Sequence, residues 1–338
     1  MNTRMRWLLV IAISVVALGS ASTLGVLALL EYEARGNAPS VVATASPGEW
    51  ATGDRIVFRN SASGRGYGHV ASVPMSDASG ERAILDVACD RVDASATEFV
   101  CLRSERGIAA AYTATLYAND AHPLAQWPLP GIPSRTRLSP DSSLVATTAF
   151  VTGHTYATVG FSTETVIRTR TGISLGNLED FALILDGSPT APVDRNFWGV
   201  TFVDDTTFYA TAQTDNRTYL VRGDLAAKSL TAVAEDVECP SLSPDGERIA
   251  FKKVTAGAGP TSHWTAAILD LGSREVTLLP EPRSVDDQIT WLDDHTVLYG
   301  MPRPDDPGDY DIWSLPADGS GAPTLFIEHA WSPAVVHR

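Results

Sequence analysis

Three cysteines in 338 residues are too few for a disulfide scaffold, and none lies near the amino-terminal apolar run, where a lipid attachment would need one. The seven histidines (His69, His122, His154, His263, His295, His329 and His337) are scattered, with none of the paired spacings of a zinc site, so no metal set is expected. The string nearest to a serine-hydrolase elbow, Gly160-Phe161-Ser162-Thr163-Glu164, lacks the closing glycine. SGRGYGH at 63–69 joins two strand-like segments and opens no helix, which excludes a phosphate cradle. No cofactor is expected. Basic residues are also short: 25 against 40 acidic, for a net charge of −15, which argues against nucleic acid or an anionic surface as partner. After residue 36 helical periodicity is nearly absent, and with it any helical repeat.

What the chain does contain is a recurring turn and strand. In CPSLSPDGERIAFKKV (239–254), Ser243-Pro244-Asp245-Gly246 has turn composition and Arg248-Ile249-Ala250-Phe251 has strand composition. The same frame returns in LSPDSSLVATT (138–148), FVDDTTFYATA (202–212), WLDDHTVLYGM (291–301), VDASATEFVCL (92–102) and, partially, TGDRIVFRN (52–60). The strand anchors Ile56, Phe99, Val145, Tyr209, Ile249 and Leu298 are 40 to 64 residues apart, a period of propeller blades. Each period carries a second turn and strand pair, so four strands form a blade and six blades a ring. The first copy has no inner strand before it. The segment His329–Val336 is expected to supply that strand and close the ring, removing an exposed sheet edge. The fold class is thus an all-β six-bladed propeller preceded by one apolar helix. The turn residues Asp141, Asp205, Asp245 and Asp294 are expected to cap their turns, not to catalyse.

The Ser-Pro-Asp-Gly turn before Ile-Ala-Phe, repeated and finished by Asp311-Ile312-Trp313-Ser314-Leu315-Pro316-Ala317-Asp318-Gly319, resembles the repeat of TolB-like six-bladed propellers. The likeness covers residues 50–336. RNFWGVTF, VECPSLSPDG and SVDDQITWLDD are similar to runs in membrane-anchored TolB-like proteins of high-GC Gram-positive bacteria. This resemblance implies a fold and no particular activity.

Arg4 and Arg6 precede Trp7–Leu30, 24 residues without a charge, and Glu31 and Glu33 follow. That run is long enough to span a bilayer and longer than the 7–15 residues of a typical signal-peptide core. Gly19-Ser20-Ala21-Ser22 still offers a small-residue cleavage alternative. The expected organisation is a cytoplasmic tail (1–6), an anchor or signal segment (7–30), a linker (31–52) and an exported propeller (53–338), oriented by the positive-inside rule. Cys89 and Cys101 lie six residues on either side of Ser95, facing each other across a hairpin, and a disulfide is expected; Cys239 is expected as a buried thiol.

Where the inner strands begin, the ring brings together Arg135, Arg137, Arg195, Asn196, Trp198, Glu238, Asp286, Asp287 and Gln288, a mixed polar set suited to ligand groups or to ion pairs among themselves. The longest interval, 145 to 209, adds a third-blade extension with His154, Tyr156 and Phe161 as candidate contacts. PRPDDPGDYD (302–311) offers Asp305, Asp306, Asp309 and Asp311 as oxygen ligands, in a spacing unlike a calcium loop. The expected function is binding of an envelope protein or cell-wall component by a monomeric, membrane-attached propeller. The alternative is a lyase or hydrolase centred on the channel.

Overall fold

In the computed structural model, residues 3–105, 110–151 and 162–338 are described. One 35-residue helix, α1 (Thr3–Asn37), precedes six sheets, five of them wholly antiparallel. Its apolar stretch is long enough to cross a membrane. It continues past Leu30 into the segment expected to be linker.

The inner strands of blades 1 to 6 are Ala330–Val336, Arg91–Ala94, Ile132–Leu138, Asn196–Phe202, Glu238–Leu242 and Thr290–Asp293. The second strands, each holding one sequence anchor, are Arg55–Asn60, Glu98–Glu105, Leu144–Val151, Thr207–Thr214, Arg248–Ala256 and Thr296–Pro302. These are central strands, and their burial follows: Ile56, Phe99, Val145, Ile249 and Leu298 are fully enclosed. The chain end closes the ring as expected, with Ile56 opposite Val335 and Val57 opposite Ala334 in an antiparallel pair.

The Ser-Pro-Asp-Gly chemistry behaves as its composition dictates. Asp245 Oδ1 accepts from the Ser243 hydroxyl (2.5 Å) and the Glu247 amide (3.0 Å), while Gly246 takes φ +74°. Asp141 repeats the pattern. In two blades the capping residue is one position earlier than expected. Asp204, not Asp205, receives the amides of Thr206 and Thr207. Asp293 caps its own turn, and Asp294 instead accepts the Asp245 amide from the neighbouring blade at 2.9 Å.

Five inner strands, in blades 1, 3, 4, 5 and 6, slip register against their second strands. These bulges bend the strands near the axis. Gly199 needs to be glycine there: at φ +67° an added Cβ would stand 2.8 Å from Cys239 Cα. Cys89 and Cys101 are bonded, with Cα atoms 5.5 Å apart. They are not directly opposed, however, because Cys101 faces Val92 and Cys89 precedes the strand. Cys239 is a buried free thiol.

The long interval builds differently from the expected third-blade extension. Ala182–Leu185 and Ser188–Thr190 form a hairpin that joins the outer edge of blade 4, with Ala182–Ile184 parallel to Ser229–Thr231, making that sheet six-stranded. Leu183, fully buried against Phe181 and Leu230, is the apolar contact that draws it there.

Ring closure is locked by a polar cluster at the start of the last strand. Asp309 accepts from the Ser61 hydroxyl and bonds His329 Nδ1, each at 2.6 Å, and the Ser61 amide donates to the His329 carbonyl at 2.9 Å. Burial favours the neutral Asp309 carboxyl, but hydrogen bonds from His329 and Ser61 and the charges of His329 and Arg303 outweigh it and hold its pKa below the ordinary 3.8. Its stabilisation is therefore complete above that value and is lost as pH falls through the lower folded value. We expect Asp309→Asn to be less stable at pH 7 and to show a shallower loss on acidification below about pH 4. Urea unfolding at stepped pH measures both. Equilibrium unfolding of Cys89→Ser/Cys101→Ser should show a loss of about 3 kcal/mol, the scale for a loop of this size.

Candidate functional site

The inner strands all begin on one face of the ring, and the ends of the second strands reach the same face. There Arg91 Nη1 pairs with Asp287 Oδ1 at 2.8 Å, and Arg135 approaches the same oxygen at 3.9 Å. Arg91 also lies over the indole of Trp331, 3.8 Å from the ring centre, and Trp331 stacks on Tyr310 at 4.4 Å. Beside this cluster Lys252 Nζ donates to Asp286 at 2.5 Å, stands 3.9 Å from Glu238 and lies over Trp264, whose Nε1 donates to Glu238 at 3.3 Å.

Burial sets the electrostatics. Removing Arg91 from water, with Arg135 beside it, lowers its pKa to about 10 against the pull of Asp287. Glu238 is raised because burial outweighs the charge of Lys252, whereas Asp286 is lowered because Lys252 outweighs its burial. Three buried polar atoms at this mouth have no hydrogen-bond partner among the described residues: Arg135 Nε, Asp287 Oδ2 and Gln288 Nε2. Such atoms are costly when left unsatisfied.

The expected ring is thus brought together only in part. Arg135, Glu238, Asp286, Asp287 and Gln288 stand at the mouth. Arg137 lies farther along the channel, pairing with Asp93 at 3.3 Å on a cavity of about 350 Å³ at the opposite end, with Ser241, Trp291 and His337 on its wall. Asp93 is raised there, burial prevailing over Arg137 and the Leu138 amide. Arg195 stands apart, bonded to the carbonyls of Pro192 (2.9 Å) and Glu179 (3.1 Å) on a shallow cavity of about 550 Å³ beside the added hairpin. Asn196 ties blades 3 and 4, accepting from the Thr163 amide and hydroxyl, and Trp198 is buried. His154, Tyr156 and Phe161 lie outside the described residues.

Sequence reasoning passed over Lys252, Trp264 and Trp331, and placed Arg91 at an inner-strand entry without counting it in the set. Lys252 was recoverable, because it follows the Ile-Ala-Phe strand directly and so lies at its mouth end. Trp331 becomes a mouth residue only through ring closure.

The acidic hairpin is occupied by protein partners. Asp306 pairs with Arg35, Asp311 with Arg303, and Asp309 with His329. Among the described residues no group of three or more His, Cys, Asp or Glu side chains is placed to hold a metal ion. Ser61, Asp309 and His329 do not form a nucleophilic triad either, since the carboxylate takes both the hydroxyl and the ring and no base stands on Ser61.

No protein-family model and no curated protein matches the sequence. Solved structures similar to the fold include TolB from Acinetobacter baumannii, with a TM-score of 0.56 and 16% identity over 86% of this chain and 68% of that one. A chain of the nidogen/laminin complex has a TM-score of 0.53 and 10% identity over 84% and 98%. Puromycin hydrolase has 0.50 and 12% over 88%, of which this chain spans 48%. The likeness is one of fold, which in this chain is a six-bladed β-propeller.

Asp287 is the stability-critical member of the mouth. With side chains 4% and 11% exposed, Asp287 and Arg91 form a buried pair, and Asp287→Ala should cost about 3–5 kcal/mol in urea unfolding by leaving the guanidinium unpaired. Glu235→Ala, which breaks an open pair with Arg217, should change stability by less than about 1 kcal/mol.

Proposed function

We propose that this protein is a non-catalytic binding module of the cell envelope. Its α1 anchors it, its propeller stands on the extracytoplasmic side, and its channel mouth engages an envelope protein or cell-wall component. The observation that carries this reading is the pairing pattern at the mouth. The Asp287, Asp286 and Glu238 carboxylates face a cation or an indole N–H, so none is poised as a free base. The nidogen/laminin neighbour, a propeller-like chain from a protein complex, supports the same kind of role.

A lyase or hydrolase remains the second reading, favoured by the likeness to puromycin hydrolase and by the two carboxylates, Glu238 and Asp93, raised by burial along the channel. Among the described residues no nucleophile stands beside a base at either end of the channel.

A photoreactive residue in place of Asp286, whose side chain is 62% exposed, tests the reading in intact cells. A single envelope protein or wall fragment captured there, and not from a probe at Asp205 on the opposite face, is the expected outcome. Capture from both faces alike, or from neither, would remove the mouth as the binding surface. A second probe at Tyr156 reports whether the long interval takes part.

A further inference from the structure

The last turn of α1 does not trail loosely into the linker. Arg35 donates to Asp306 Oδ1 and to the Pro307 carbonyl, both at 2.6 Å, and its own carbonyl accepts from the Gly64 amide at 2.8 Å. Tyr32 packs edge-on against Tyr67 with ring centres 5.4 Å apart, and Arg35 lies over the same ring. Tyr67 in turn donates to the Gly308 carbonyl. Gly68 is glycine where the Tyr32 hydroxyl would stand 3.2 Å from an added Cβ. These contacts join α1 to two loops, 61–68 of blade 1 and 303–309 of blade 6, across the seam where the ring closes.

Both loops connect a second strand to a third strand, so both lie on the face where the inner strands begin. That is the mouth face. From Ser40 the chain then descends the side of the propeller, pairing Thr44 with Arg82 and burying Trp50 against Phe99, before entering blade 1 from the opposite face. Between Arg4 and Leu30 every described side chain is exposed, so the apolar stretch leaves the propeller instead of lying on it. Arg35 is only five residue steps beyond Leu30, about 7.5 Å along a helix.

We propose that the docked turn of α1 holds the channel mouth facing the lipid headgroup layer, within a few helical turns of it. The ligand of the mouth is then one displayed at the membrane surface, not one arriving from the far side of the propeller. This rests on the anchor reading of α1 and adds an orientation to it. The docked turn carries the inference, because exposed apolar side chains do not distinguish the faces: Ile132 and Val254 on the mouth face are 54% and 38% exposed, and Ile173 and Val203 on the other are 65% and 38%.

Those four residues make matched reporters. In the full chain reconstituted into phosphatidylcholine vesicles containing a headgroup nitroxide lipid, a small fluorophore is placed singly at Ile132→Cys, Val254→Cys, Ile173→Cys or Val203→Cys. Quenching at the first two should exceed that at the last two several-fold, and Tyr32→Ala/Arg35→Glu should shrink the difference without releasing the protein from vesicles. Equal quenching on both faces, or the reverse order, in protein that stays with vesicles through alkaline extraction would overturn the orientation alone. Loss of the protein at that extraction would overturn the anchor reading and the orientation with it.

Discussion

Ring closure is the constraint on which the rest depends. Six sheets can share one axis only if the first finds an inner strand, and that strand comes from the far end of the chain, pairing Ala330–Val336 with Arg55–Asn60. The pairing removes the one exposed inner edge and fixes where the other five inner strands start. Its cluster of Ser61, Arg303, Asp309 and His329 is charged and buried, so closure is specific as well as favourable.

Closure also creates the electrostatic problem that the mouth solves. Strands far apart in sequence deliver Arg91, Arg135, Asp286, Asp287, Glu238 and Lys252 to one place where all but Asp286 are largely buried and unpaired charges would be expensive. Pairing across blades, with Trp331 and Trp264 under two of the cations, meets most of that cost. Among the described residues two buried donors, Arg135 Nε and Gln288 Nε2, and one acceptor, Asp287 Oδ2, remain unmatched there. The carboxylates of the mouth are thus held by cations.

The ring was legible in the sequence because its signals are local. A short polar turn and the β-branched or aromatic strand after it follow from backbone preferences that act within a few residues, and the pair recurs at each blade. The closing strand was legible by elimination, since His329–Val336 had strand composition and no neighbour. Side-chain positions along the channel were less so. Arg135 and Arg137 are two residues apart with a bulge at 133–135, and that slip helps separate them towards opposite ends of the axis. Arg195 precedes its strand and is captured by the carbonyls of 179 and 192. The placing of 182–190 on blade 4 depends on the burial of Leu183, a tertiary contact no short pattern contains.

The central claim is that the mouth face is where this propeller meets its ligand. Hydrogen exchange of the full chain in its native membranes, compared with the purified protein, tests it directly. The account predicts added protection at 89–92, 134–136 and 284–289, with the turns at 140–143 and 244–247 on the opposite face unchanged. Protection confined to those turns, or to the hairpin at 182–190, would contradict it.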